Sequence, residues 1–369
     1  MTSARARRLA RVQERMEELG IDVLLLSLGA DLPWLTGYEA MPLERLTMLV
    51  VPRGGAATLV VPRLEAPRVE EDPDVFRLRA WSEGDDPVEI VAALAGLGGA
   101  VEEVAVSDRT WATFVLALQA TMPAGYWRPS SQVTGPLRAV KDEEEVEALT
   151  AASAAADRVA GQLLAGDIPL IGRSEREVSQ DIGRRLVAEG HQKVNFAIVG
   201  SGPNSASPHH EPGGRRIEAG EPVVCDFGGT MEGYCSDITR TVWTAEPTVE
   251  QRNLYMVLQE AQAEGVAAAV VGATCEEVDG AARRVISDAG YGEAFIHRTG
   301  HGIGLEEHED PYIVEGNRVA LTPGHAFSVE PGIYLAGRFG ARIEDIVVAA
   351  AAGPMVLNHV SHDLTVVEV

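Results

Sequence analysis

Cysteine is scarce in this chain: Cys225, Cys235 and Cys275 are its only three, an odd number with no CxxC pair. That argues against a disulfide framework and against a thiolate zinc site, and it suits a reducing cytoplasm. Long apolar runs are missing too. The longest, Ile21 to Leu28 and Gly265 to Ala273, fall well short of the roughly 20 residues that a helix needs to span a bilayer, so a membrane is not an expected partner. Basic residues are in short supply, with 31 Lys and Arg against 55 Asp and Glu and a formal net charge of -24. Such a chain repels a phosphate backbone, which speaks against nucleic acid as a partner. Arg5, Arg7 and Arg8 open a charged amphipathic segment rather than an apolar run with a cleavage site, and this reads as a first helix, not a signal peptide.

What is present is enough for a large core: 46% of the 369 residues are hydrophobic, and the length points to two domains. Residues 1–135 read as alternating α and β elements. A helix is expected from Ala4 to Leu19, a strand at Val23 to Leu26, and a hairpin from Leu46 to Val61 turning at Arg53-Gly54-Gly55. Strands near Val75 to Leu78 and Val101 to Val106 and a helix near Thr110 to Ala120 continue the pattern. A turn-rich stretch, Pro129 to Pro136, then gives way to the charged opening KDEEEVEAL, which marks a domain boundary and begins a second domain at 141–369.

The second domain divides into two similar halves, each two helices followed by strands. Ser174 with Glu177, Thr248 with Gln251 and Thr274 with Glu277 have capping-box spacing, which places helix starts at all three. In the first strand-rich region, VVCDFGGTMEGYCSDITRTVW reads as a hairpin with Asp226 and Asp237 on its two arms. In the second, FSVEPGIY and ARIEDIVVA repeat the arrangement with Glu330 and Glu344. Carboxylates on neighbouring arms of an apolar hairpin repel one another and lose hydration unless a cation lies between them. Between the hairpins, HRTGHGIGLEEHEDPY sets His297, His301 and His308 among glycines that allow close backbone approach. Four oxygen donors and an imidazole suit a pair of carboxylate-bridged divalent ions better than one tetrahedral zinc. Hard ligands without thiolate favour Mn²⁺, with Co²⁺ or Zn²⁺ as alternatives. A lone buried acid is more often half of a structural ion pair. That bland reading is kept for His210, His325 and the core residue Cys235, and pairing with nearby acids competes with substrate contact for Arg240.

DFGGTMEGYCSDITRT, TGHGIGLEEHE, SVEPGIY and RIED resemble the signatures of the pita-bread metallopeptidases, family M24, in the Xaa-Pro dipeptidase (prolidase) and Xaa-Pro aminopeptidase branch. The resemblance covers residues 141–369, and the first half looks like that branch's smaller α/β domain. It implies an α+β chain: a creatinase/aminopeptidase-like pita-bread catalytic domain behind a creatinase/prolidase-like N-terminal domain. By motif, Asp226 resembles the bidentate ligand of one ion, His301 and Glu330 terminal ligands of the other, and Asp237 and Glu344 the bridging carboxylates. His209, His297 and His308 resemble the family's substrate-handling and catalytic set. Glu330 is the candidate proton acceptor and His308 the oxyanion donor. A dipeptide's free carboxylate needs a cation, for which Arg342 and Arg318 are candidates. Arg342 is expected beside Glu344, and Thr239 and Thr241 beside Asp237, because residues two apart on a strand share a face. The implied activity is metal-dependent hydrolysis of the bond before proline, with a small peptide as substrate. A homodimer is also implied, in which the partner's N-terminal domain limits substrate length. An amidinohydrolase like creatinase, and a non-catalytic binding module, compete less well because all five metal positions are filled.

Overall fold

The computed structural model describes residues 3–368 and divides into two compact units, Met1–Arg138 and Ala139–Val369. The first unit is built on a mixed six-stranded sheet. Strand Val23–Leu26 lies antiparallel to Met48–Pro52 and parallel to Glu103–Val106, and its four residues are all buried. Met48–Pro52 and Ala57–Pro62 form the expected hairpin, and Phe76–Trp81 and Tyr126–Pro129 close the two edges. Helix Ala4–Leu19 is capped by Ser3 at its start and by Gly20, at φ 71°, at its end. Glycine there accepts the left-handed conformation that other residues resist.

The turn-rich reading of Pro129 to Pro136 is corrected by a helix, Ser131–Ala139, with Pro136 inside it. The reason is tertiary. The buried Asp31 carboxylate accepts hydrogen bonds from Ser130 Oγ at 2.9 Å, Thr134 Oγ1 at 3.0 Å and Arg138 Nη1 at 2.9 Å. A spacing of four puts those donors on one helical face, so a distant acid stabilises a helix that local propensity disfavours.

In the second unit two helix pairs back two five-stranded sheets. The pairs are Glu143–Leu164 with Glu175–Ala188, and Val249–Ala268 with Cys275–Asp288. All four helices begin with a two-way capping box, from Asp142/Glu145 as well as the three pairs legible in the sequence. Leu163, Val178, Ile182 and Leu186 pack on Phe227, Ile238 and Val242 of the first sheet. Leu254, Tyr255 and Leu258 pack on Trp243 and on Ile333, Ala341 and Ile343 of the second half. The halves are not independent: Thr365–Val366, at the far end of the chain, pairs with Val242 and Trp243 of the first sheet. No helix among the described residues is long and apolar enough to cross a membrane.

The second hairpin is not continuous. Ala326–Val329 pairs with Asp345–Val348, and Gly332–Leu335 with Phe339–Arg342, leaving Glu330-Pro331 and Ile343-Glu344 between the ladders. Proline has no N–H to donate to a ladder, which fixes the break at Pro331. Asp237 likewise sits in the gap between Tyr234–Cys235 and Ile238–Trp243. Three of the candidate ligands therefore stand where strand pairing lapses and a side chain can be re-aimed.

Asp31→Ala should lower the stability of the N-terminal unit by about 3 kcal/mol or more, because it removes the carboxylate from a buried ion pair. Chemical denaturation followed by circular dichroism checks this, and a loss under about 1 kcal/mol would refute the anchoring role.

Candidate metal centre

Asp226 lies on the central strand Pro222–Met231, with Thr239 on one side and Ile198 on the other. Thr239 also forms an isolated bridge to Glu344, which ties the first ribbon to the second at the site. His301 occupies the short strand Gly300–Gly302. A Cβ on Gly300 would run into the Ser328 carbonyl, and one on Gly302 into that of Asp310, so this backbone reaches the site only with glycines around the histidine.

These elements bring the acids and His301 together. Single donor atoms of Asp237, His301 and Glu344 all lie within 4.8 Å of one another, and all three residues are buried. His301 Nε2 is 3.4 Å from Glu330 Oε1 and 3.7 Å from Asp237 Oδ2. His301 Nδ1 faces the Gly302 carbonyl at 3.1 Å. A carbonyl only accepts, so the ring proton sits on Nδ1 and the Nε2 lone pair points at the carboxylates. Burial, and next the neighbouring His308, push His301 down to about 3, so the imidazole is neutral and able to ligate.

The acids are held under tension. Burial first, then the charges of Glu344, Asp226 and Glu330, push Asp237 well above the usual carboxylate range. Burial and then Glu330 and Asp226 do the same to Glu344. Glu330 is pushed up to about 7, chiefly by burial and against the pull of Arg342. Asp226 Oδ1 and Asp237 Oδ1 are buried with no hydrogen-bond partner among the described residues. Unpaired buried carboxylate oxygens are costly. Hard, oxygen-rich donors aimed inward with lone pairs unused fit divalent cations.

The four remaining candidates, His209, His297, His308 and Arg342, line the same cavity of about 440 Å³. Arg342 does not lie free beside Glu344. It is paired with Asp226 Oδ2, and it donates to Thr239 Oγ1 at 3.1 Å, Tyr334 OH at 2.8 Å and the Pro208 carbonyl at 3.3 Å. Thr239 Oγ1 in turn donates to Glu344 Oε2 at 2.6 Å, while Thr241 Oγ1 donates to the Arg342 carbonyl. Tyr334 OH passes its proton towards His297 Nε2 at 2.9 Å, and His297 Nδ1 donates to the Arg298 carbonyl at 2.7 Å. Both nitrogens of His297 are therefore used. His308 Nδ1 accepts from Arg298 Nη2 at 3.3 Å, which leaves its proton on Nε2. His209 has no side-chain hydrogen bond among the described residues, and it is exposed at the cavity wall.

Other sequence candidates lie elsewhere. Arg318 is 84% exposed, 3.4 Å from Glu276 and away from the cavity, so it is no receptor for a ligand there. His210 bonds Glu175 at 2.8 Å, and His325 is buried outside the site. Arg240 is buried behind it, paired with Asp345 at 2.8 Å and donating to the carbonyls of Thr239 and Glu344. Cys235 is buried beside Thr230 and Asn195. The cavity also has walls the sequence reading did not name: Phe196, Ile198, Arg298 and Glu307, with Tyr334 directly behind His297. Phe196 and Ile198 are two apart on one strand, but that signal has meaning only once the strand's neighbours are known.

A largely buried cluster of four carboxylates and one neutral imidazole, in the wall of a cavity sized for a small ligand, defines a metal-dependent hydrolase centre. The chain belongs to metallopeptidase family M24, whose model matches residues 146–351, and a creatinase/prolidase N-terminal domain matches residues 8–140. It is 45% identical to the probable dipeptidase PepE of Mycobacterium tuberculosis over 99% of this chain and 97% of that protein. It is 34% identical to the Xaa-Pro dipeptidase of Lactobacillus helveticus, over 98% and 99%. The solved prolidase of Thermococcus sibiricus superposes with a TM-score of 0.91 at 36% identity, covering 99% of each chain. The fold is thus the pita-bread arrangement behind a creatinase-like α/β domain, and the chain is a peptidase of small peptides that uses divalent metal ions.

Two outcomes follow from this geometry. A carboxyl raised in the folded state loses stability as pH climbs from its ordinary value near 4 to its raised one, so the metal-free protein is strained at neutral pH. Glu344→Gln should make chelator-treated protein more stable at pH 7.5, not less, while abolishing full metal loading. Denaturant melts and elemental analysis read both, and a less stable metal-free variant would contradict the electrostatic account. Tyr334→Phe should cut kcat/KM roughly 5- to 30-fold at unchanged metal content, since it removes a hydrogen bond worth about 1–2 kcal/mol from both Arg342 and His297. Steady-state kinetics check it, and a change under twofold would show the hydroxyl to be idle.

Proposed function

We propose that this chain is an Xaa-Pro dipeptidase, hydrolysing the bond before proline, with Asp226, Asp237, His301, Glu330 and Glu344 as the ligands of two divalent ions. The observation that carries this reading is the convergence of those five groups, with two carboxylate oxygens unpaired, in the wall that also holds His209, His297 and His308. A pair of divalent ions supplies Lewis acidity and an activated water at neutral pH. Glu330 accepts the proton released as the carbonyl is attacked and returns it to the departing prolyl nitrogen. His308 donates its Nε2 proton to the carbonyl oxygen as charge develops there. Burial, then the Arg298 charge, push His308 below the usual imidazole range, so it acts as a neutral donor. His297, with both nitrogens engaged, serves as a fixed wall for the proline ring together with Phe196 and Ile198, and His209 closes the cavity rim.

Proline explains the apolar wall. An Xaa-Pro bond is a tertiary amide with no N–H, so strand-like backbone recognition loses a contact there and the ring itself must be recognised. The names of the relatives from Lactobacillus helveticus and Thermococcus sibiricus support the same substrate class. Oxygen-rich donors favour Mn²⁺, with Co²⁺ or Zn²⁺ as alternatives. Three buried, unpaired cysteines agree with a cytoplasmic setting, and the resemblance to the family supports a homodimer.

Chelated protein reloaded with Mn²⁺ should hydrolyse Gly-Pro and Ala-Pro faster than Ala-Pro-Xaa tripeptides, measured by ninhydrin or chromatographic release of proline. Turnover of tripeptides alone would make the enzyme an Xaa-Pro aminopeptidase, and turnover of neither would sink the assignment.

A further inference from the structure

Glu175 opens the helix Glu175–Ala188 and is completely buried, although among the described residues no lysine or arginine pairs with it. Burial alone would raise its carboxyl, but hydrogen bonds from Ser201, His210 and Asn204 hold it below the usual carboxylate range. Ser201 N and Oγ donate to Oε1 at 2.9 and 2.8 Å, and Asn204 Nδ2 donates to the same oxygen at 3.0 Å. His210 Nε2 lies 2.8 Å from Oε2. An ionised carboxylate only accepts, so the His210 proton in this bond sits on Nε2. All of these donors come from one segment, 201–210, which leaves the strand Lys193–Ser201 through the short helical turn Gly202–Ala206.

That segment carries His209 to the cavity wall, and both neighbours of His209 are held by buried charged side chains. The Pro208 carbonyl accepts from Arg342 Nη1 at 3.3 Å, and the His210 ring is bonded to Glu175. Gly340 N, donating to Ser205 Oγ at 2.9 Å, fastens the same segment to the second ribbon. His209 has no side-chain hydrogen bond among the described residues, so its place depends on the backbone that presents it. That place matters to the rings around it. Burial is the main reason that His297 and His308 lie below the usual imidazole range, and a charge on His209 acts in the same direction on both. A buried carboxylate is a costly way to brace a loop, and apolar contact would brace it at lower cost. Hydrogen bonds add direction to distance.

We propose that Glu175 and His210 are positioning residues for the reaction: the hydrogen bond between them fixes the backbone at 208–210 and thereby aims the His209 ring into the wall shared with His297 and His308. This rests on the Xaa-Pro reading above and on the place it gives His209 at the cavity rim. His210 lies outside the cavity lining and acts only through its neighbour. Without the tether the segment keeps the Arg342 contact on one side of His209 and loses its anchor on the other. A displacement of about 1 Å in a group that meets the substrate can cost roughly 100-fold in rate.

The experiment is a double-mutant cycle on the full-length, Mn²⁺-reloaded enzyme with Ala-Pro as substrate: wild type, His209→Ala, His210→Ala and the two together. H210A should lower kcat/KM roughly 5- to 30-fold at unchanged manganese content. Added to H209A, it should cost at most about twofold more, because a residue that acts through His209 then has nothing left to act on. His210→Gln, which still offers an N–H to Glu175, should regain part of the loss. His210→Asn, too short to reach Glu175, runs the same cycle should H210A fail to fold. The proposal falls if the two losses multiply, as they would for an independent structural role. It falls equally if H209A or H210A alone stays within about twofold of wild type. Wild-type enzyme that does not cleave Ala-Pro would instead remove the Xaa-Pro reading on which the proposal stands.

Discussion

Four acids whose charges cannot all be tolerated without a counter-ion set the terms for the rest of this structure. Asp226, Asp237, Glu330 and Glu344 are drawn into one pocket wall, where lost hydration and mutual repulsion raise three of them and two oxygens have no hydrogen-bond partner among the described residues. A fold does not gather such groups for stability, because each one costs free energy when buried. Packing elsewhere offsets that cost. Two pairs of capped helices press on apolar strand faces, and strand pairing lapses at Asp237, Glu330 and Glu344, where acids turn inward.

Around that cluster the polar side chains form a connected frame. Asp226 is tied to Arg342, Arg342 to Tyr334, and Tyr334 to His297, so a carboxylate of the acidic cluster and a ring of the cavity wall share one hydrogen-bonded chain. On the far side Arg240 grips the backbone carbonyls of Thr239 and Glu344, while its charge is balanced by Asp345. Asp345 also meets Gln262 and His362, which links the frame to the C-terminal segment that returns to the first sheet. Fixed geometry of this kind lets a site act without reorganising during the reaction.

The cavity wall has two kinds of arginine, and the contrast follows from their partners. Arg342 is buried and paired with Asp226, and it donates to Tyr334. Arg298 lies over the Tyr312 ring and donates to His308. The charge balance of the whole chain, strongly acidic, gives no hint of that distinction, because it depends on which two or three acids reach a given guanidinium.

Much of the architecture was written locally. Capping spacings at Ser174, Thr248 and Thr274 marked three helix starts because the box is made by residues three apart. The hairpin at 48–62 followed from two β-rich runs around a glycine turn. The five groups that converge on the cavity were legible as motifs, since each acid carries its own strand context. Non-local contacts decided the remainder. A helix formed over 131–139 because Asp31, a hundred residues away, supplied its acceptor. Arg342 was placed beside Glu344 by strand alternation, but its charge went to Asp226 on another ribbon. Chain order determined which groups exist and how neighbours alternate. Only tertiary packing determined which charges meet, because electrostatic pairing depends on distance in space and not along the chain.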